Sequence, residues 1–99
     1  MHRDHPVTDY AAVVTDDAQF VDVRQPDEVA GGSLPGAVNI PLDQLGDRLG
    51  ELDPSRRVVV LCRSGGRSTM AAEALVGAGF TDVVNLAGGM LAYEEANPS

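Results

Sequence analysis

Arg57-Val58-Val59-Val60-Leu61-Cys62-Arg63-Ser64-Gly65-Gly66-Arg67-Ser68 passes in twelve residues from a β pattern through a glycine turn into a helical pattern. Val58 to Leu61 is continuously apolar and mostly β-branched, as expected of a central strand buried on both faces. Beyond Gly66, the residues Met70, Ala71, Ala74, Leu75 and Ala78 recur on one helical face, which predicts a helix from near Gly66 to Gly77–Gly79. A strand, a short Gly-rich loop and a helix in direct succession is the unit from which parallel α/β sheets are built.

On either side of this unit, short β-like runs alternate with helical patterns. Strands are expected at Gln19–Val23, Ala37–Ile40, Arg57–Cys62 and Val83–Leu86. Thr8 or Asp9 is suited to cap a short helix over Tyr10–Val14, and Pro26-Asp27-Glu28 to open another. Leu42, Leu45, Leu49 and Leu52 are spaced as one helical stripe between Pro41 and Pro54, and a last helix is expected over Met90–Ala96. The N-terminal Met1 to Pro6 reads as frayed. The pattern predicts an α/β layer fold with a mostly parallel sheet. At 99 residues, with no linker or internal repeat, the chain is expected to form a single domain over 1–99, its core at about 7–95.

The formal net charge is −8, from 7 arginines and 15 acids. Nucleic acid and anionic membranes are therefore not expected partners, because both are bound through excess positive charge. No run approaches the length of a membrane span. The single cysteine cannot form an internal disulfide, and the N-terminus lacks the apolar stretch of a secretion signal, so a cytoplasmic protein is expected. Against the acidic background, Arg63 and Arg67 fall in a stretch without any acid.

That stretch carries the chemistry. Glycines let successive N–H groups turn inward into an anion-binding nest, and the helix that follows presents its positive end to the same point. A cysteine there has its pKa lowered from about 8.5 to as little as roughly 3.5–7.5, and the thiolate is the nucleophile. A lone cysteine ending an apolar strand is commonly just a small buried hydrophobe. Two arginines, two glycines and a helix start within six residues favour the reactive reading of Cys62. Of the two arginines, Arg67 stands at the loop's end, where its side chain is expected to fold back across the cradle. Ser64 and Ser68 have no histidine nearby in sequence to activate them. His2 and His5 lack a third ligand for a metal, and Gly31-Gly32 and Gly88-Gly89 lack dinucleotide-binding spacing and read as turns. No cofactor is expected.

Phe20-Val21-Asp22-Val23-Arg24, then Gly32 to Pro41, then the Cys62–Ser68 loop, then Gly79-Phe80 with Asn85-Leu86-Ala87-Gly88-Gly89-Met90 resemble, in order, the successive motifs of rhodanese domains. The resemblance implies a sheet of about five strands flanked by helices on both faces. It implies a sulfurtransferase in which Cys62 takes sulfane sulfur from thiosulfate or a related donor as a persulfide. The sulfur then passes to a thiophilic acceptor, either cyanide or a thiol, which a protein could carry. By the same carry-over Arg63, Ser64, Gly65, Gly66, Arg67 and Ser68 form the donor-binding loop. Asp22 and Arg24 either brace its surroundings or form a structural salt bridge or turn cap. Ser33 stands where the family usually has histidine, and Tyr93 where tryptophan is common.

Two other functions share a low-pKa cysteine or this fold: a thiol-dependent phosphatase or arsenate reductase, and a non-enzymatic relay or docking module. Cysteine phosphatases resemble C-x5-R, whereas Cys62 to Arg67 is C-x4-R. Docking modules usually lack the cysteine.

Overall fold

A computed structural model describes residues 1–98. In chain order it contains β1 (Arg3–Pro6), a 3₁₀ turn (Val7–Ala12), β2 (Gln19–Asp22), α1 (Pro26–Ala30), β3 (Val38–Asn39) and α2 (Leu42–Leu45). A second 3₁₀ segment (Gly46–Glu51), β4 (Val58–Leu61), α3 (Gly66–Gly77), β5 (Val83–Ala87) and α4 (Gly89–Ala96) complete it. The five strands form one sheet in the order β1-β5-β4-β2-β3, and every pairing is parallel. Among the described residues no helix is long and apolar enough to cross a membrane.

All four residues of β4 are fully buried. Burying a valine or leucine side chain contributes roughly 1.5–3 kcal/mol, so the strand that carries the Gly-rich loop is firmly anchored. Strand alternation sorts its side chains between two cores. Val58, Val60 and Cys62 face Ala71, Ala72 and Leu75 of α3, whereas Val59 and Leu61 join Val7, Phe20, Leu86 and Met90 on the other face. The second core includes Tyr93, whose ring packs edge-on to Tyr10 at 6.0 Å. Cys62 thus emerges on the α3 side of the sheet.

Three expectations from the sequence are corrected. The N-terminal residues form an ordered edge strand, with Asp4 in register with Asn85 and His5 with Leu86. Polar residues suit that position, because an edge strand has one solvated side. The leucine stripe from Leu42 to Leu52 is not one helix. Its α-helical part ends at Leu45, and Gly46 and Gly50, poor helix formers, fall in the tighter 3₁₀ segment. The short helix expected over Tyr10–Val14 is the 3₁₀ turn, which starts earlier, at Val7.

From β4 the chain leaves through α3 toward β5, and from β2 it leaves through α1 toward β3. Adjacent strands whose connections depart in opposite directions open a crevice at their carboxyl ends, where α/β proteins bind ligands. Cys62 follows β4 at that crevice, and Arg24 follows β2.

Candidate active site

The cradle around Cys62 is built by three elements. β4 delivers the cysteine, which is fully buried. Gly65 then adopts φ +106°, a left-handed conformation open to glycine, and caps α3 without a side chain. This turn brings the Gly65 N–H to 2.9 Å from the Cys62 Sγ, and the Ser68 Oγ lies 3.3 Å from the same atom.

α4 supplies the third side. The N–H groups of Met90 and Leu91 donate to the carbonyls of Cys62 and Arg63, both at 2.9 Å. In a trans peptide the C=O and the next N–H point in opposite directions. Carbonyls drawn toward α4 therefore turn the Arg63 and Ser64 N–H groups away from it. Gly89 permits this approach: it has φ +59°, and a Cβ there would stand 2.5 Å from the carbonyl oxygens of Cys62 and Arg63.

Burial pushes the Cys62 thiol up. The Ser68 hydroxyl and the N–H groups of Ser68, Gly65 and Ser64 more than offset it, and the thiol is held below its ordinary range. Hydrogen bonds, rather than the arginines, are therefore the main source of thiolate character.

Arg67 does not fold across the cradle as expected from the sequence. Its guanidinium makes a two-pronged pair with Glu28 of α1, at 2.6 and 2.8 Å. Planar guanidinium and carboxylate match in this geometry, and the carboxylate 39 positions earlier takes both prongs. Arg63 is exposed and, among the described residues, its side chain makes no hydrogen bond or ion pair. It lines a cleft with Arg24, Glu28, Met90, Leu91 and Glu94. Ser64 and Gly66 are exposed, Gly65 is half-buried and Ser68 is buried beneath them.

Asp22 and Arg24 form a buried pair. The Arg24 guanidinium donates to both Asp22 oxygens, at 2.7 Å to Oδ2, and to the Gly32 carbonyl at 2.7 Å. Ser33 donates to Asp22 Oδ2 at 2.7 Å, and Asn39 Nδ2 bridges the carbonyls of Asp22 and Arg24. The position where a histidine is usual is thus filled by a short hydroxyl that ties the Gly32–Ser33 turn to the end of β2.

Glu28 holds Arg67 and also accepts from the Gln25 N–H at 3.0 Å, closing a capping box on α1. The Arg67 hydrogen bond, followed by that of Gln25, lowers the Glu28 carboxyl from 4.5 to about 2. A carboxyl with a depressed folded-state pKa stabilises the fold fully above its unfolded value, and that contribution is lost as the pH falls from 4.5 through about 2. Because both side chains are partly exposed, the pair is worth about 0.5–1 kcal/mol. Glu28→Gln is expected to lower the melting temperature by roughly 2–8 °C at pH 7. The difference from the unmutated protein should vanish toward pH 2. An acid-independent difference would contradict the assignment.

Sequence reasoning did not find Glu28, Asp4, Thr69 or the side chain of Asn85 as parts of the site. Asn85 carried a signal: it is a polar residue inside the apolar run Val83-Val84-Asn85-Leu86. Its register with Val60 aligns it with the α3 side of the sheet.

A parallel sheet whose central strand ends in a cysteine ringed by backbone N–H groups, its thiol held below the ordinary range, defines a class of cysteine-dependent domains that handle anionic or electrophilic groups. The chain belongs to the rhodanese-like domain family, whose model matches residues 8–96. It is similar to a sulfurtransferase of Allochromatium vinosum, with 40% identity over 79 residues covering 80% of this chain and 74% of the relative. It is 39% identical over 79 residues to the thiosulfate sulfurtransferase GlpE of Shewanella oneidensis, covering 80% and 78%. Rhodanese-like/PpiC domain-containing protein 12, chloroplastic, of Arabidopsis thaliana is 42% identical over 92 residues, but this chain spans 31% of its length. Among solved structures, a rhodanese-like domain protein of Staphylococcus aureus superposes with a TM-score of 0.82 at 31% identity, covering 92% of this chain and 90% of that one. The family and its sulfurtransferase-named members make this a rhodanese-family, sulfurtransferase-type protein.

Proposed function

We propose that this protein moves sulfane sulfur from thiosulfate or a related donor to a thiophilic acceptor through a Cys62 persulfide, acting as one domain in the cytoplasm. The observation that carries this reading is the cradle itself, in which Cys62 Sγ lies 2.9 Å from the Gly65 N–H and is held below the ordinary thiol range. The thiolate attacks the outer sulfur of thiosulfate. The S–S bond of the donor breaks, sulfite leaves with the bonding pair, and Cys62 carries the sulfur as a persulfide. Cyanide or a thiolate then attacks the outer sulfur, and the Cys62 thiolate leaves as the product, thiocyanate or a new persulfide, departs. No proton transfer is required, which agrees with a site in which serine replaces the family's usual histidine at position 33.

Arg63 is the cation we assign to the incoming donor, since Glu28 already holds both prongs of Arg67. The loop N–H groups of Ser64, Gly65 and Ser68 stabilise the anion at each stage, as thiolate and as persulfide. Asp22, Arg24 and Ser33 anchor the neighbouring turn and do not touch the sulfur. The acceptor is a small thiol or a cysteine on a partner protein, and either reaches Cys62 through the same crevice.

Incubation with thiosulfate, followed by intact mass measurement, is expected to show gain of one sulfur that cyanide removes. Absence of that adduct with thiosulfate and with persulfide donors would refute the reading.

A further inference from the structure

Beneath the loop lies a chain of polar side chains that the transfer chemistry above does not use. Asn85 of β5 is 3% exposed. Its Nδ2 lies 3.1 Å from Asp4 Oδ1 and 3.1 Å from Thr69 Oγ1, and its Oδ1 makes a short contact with Ser68 Oγ. The orientation of the amide is over-determined. Asp4 offers only acceptors, and the Thr69 hydroxyl spends its proton on the Gly65 carbonyl at 2.7 Å. Both therefore require the NH2 group, and the amide oxygen must face Ser68.

Ser68 has one hydroxyl proton and three acceptors within reach: Asn85 Oδ1, the Gly65 carbonyl at 3.2 Å and Cys62 Sγ at 3.3 Å. The Gly65 carbonyl already accepts from Thr69, through its N–H at 3.1 Å and its hydroxyl. The proton is thus left to choose between the Asn85 oxygen and the sulfur. We propose that Asn85 is a positioning residue that competes with Cys62 for the Ser68 proton and so sets how readily the sulfur becomes and remains anionic. With the thiol protonated, Ser68 donates to Asn85 and turns a lone pair toward the S–H. When the sulfur is an anion, the hydroxyl rotates to it and the Asn85 oxygen gives up its donor. The rotation costs one buried hydrogen bond, and that cost raises the pH at which the thiolate forms.

The charged groups around this set come from several elements. Asp4 of β1 has the His2 ring 3.4 Å away, and Arg67 of α3 is tied to Glu28 of α1. Asp22, the last residue of β2, is paired with Arg24, and Arg63 sits in the loop itself. None of these is removed by substitution at Asn85.

The inference rests on Cys62 acting as a thiolate, but its test reads alkylation rather than sulfur transfer, so the two readings fail separately. The pH midpoint of Cys62 alkylation by iodoacetamide is to be measured by mass in the full chain, with circular dichroism to confirm folding. Asn85→Ala removes the competing acceptor and is expected to lower the midpoint by about 0.5–1 pH unit. Asn85→Leu, which refills the space without an acceptor, should act in the same direction. Ser68→Ala alone should raise the midpoint, and in that background Asn85→Ala should have no effect. A midpoint that rises or stays put in the Asn85 variants, or a shift of equal size without Ser68, overturns the proposal.

Discussion

Cys62→Ser is expected to abolish sulfur transfer altogether: no thiosulfate-derived mass gain, and thiosulfate:cyanide turnover at the level without protein. The serine Oγ occupies nearly the same place and has the same donors, Gly65 N–H and Ser68 Oγ, around it. The cradle holds the thiol below its ordinary pKa of about 8.5, toward ionisation. A hydroxyl starts far higher, and the same hydrogen bonds do not bring it there. Oxygen also forms no persulfide. The fold should survive, since the substitution removes little volume and the new hydroxyl finds partners already in place. The opposite outcome, Cys62-dependent hydrolysis of p-nitrophenyl phosphate without sulfur transfer from any donor, would favour a phosphatase. The loop argues against that, because C-x4-R is one residue tighter than the phosphatase ring. A tetrahedral phosphoryl group must receive its N–H donors at about 2.7–3.1 Å while bonded to the sulfur.

Gly89→Ala is expected to cost both stability and activity, more than an alanine at any other left-handed glycine that has free space. A non-glycine residue held in the left-handed region carries about 1–3 kcal/mol of strain. At Gly79, φ +100° with nothing within 4 Å of the added carbon, that strain is the whole expected effect. At Gly89 the new methyl also meets the Cys62 and Arg63 carbonyl oxygens at 2.5 Å, and these are backbone atoms that cannot swing aside. α4 must withdraw, and the hydrogen bonds from Met90 and Leu91 N–H to those carbonyls must lengthen or break. Overpacking of this kind adds typically about 1–3 kcal/mol. Freed carbonyls would let the loop peptides rotate, so the N–H groups that hold the thiolate would lose their aim. Thermal unfolding of Gly89→Ala and Gly79→Ala, with the alkylation midpoint of Cys62 in each, separates the effects. Equal stability losses and an unchanged midpoint in Gly89→Ala would show that α4 does not set the loop.

The local units of this protein are legible residue by residue. A continuous β-branched run, a glycine pair and an alanine-rich helical face identify β4, the loop and α3. Each is determined by neighbours within a few positions: alternation for the strand, left-handed backbone at Gly65, and 3.6-residue periodicity for the helix. Cys62, the nucleophile we propose, is legible for the same reason, because Gly65 and Ser68, which bond its sulfur, lie within six positions of it. Weak local signals are overridden by tertiary context and by glycine. Arg3 to Pro6 has the composition of a frayed end, and it becomes a strand because β5 offers an unpaired edge. The leucine stripe keeps helical spacing, but Gly46 and Gly50 tighten its second half into a 3₁₀ turn.

Local sequence thus specifies the strand–loop–helix unit, the cysteine at its turn and the parallel sheet class. Tertiary structure decided what surrounds them. Glu28 captures Arg67 across 39 positions, Asp4 orients Asn85 across 81, and α4 draws the carbonyls of Cys62 and Arg63 outward. Such pairings depend on which strand ends lie side by side and on which face each residue emerges. A charge or an amide in sequence carries a capacity to bond but no direction, and only the packed sheet assigns its partner.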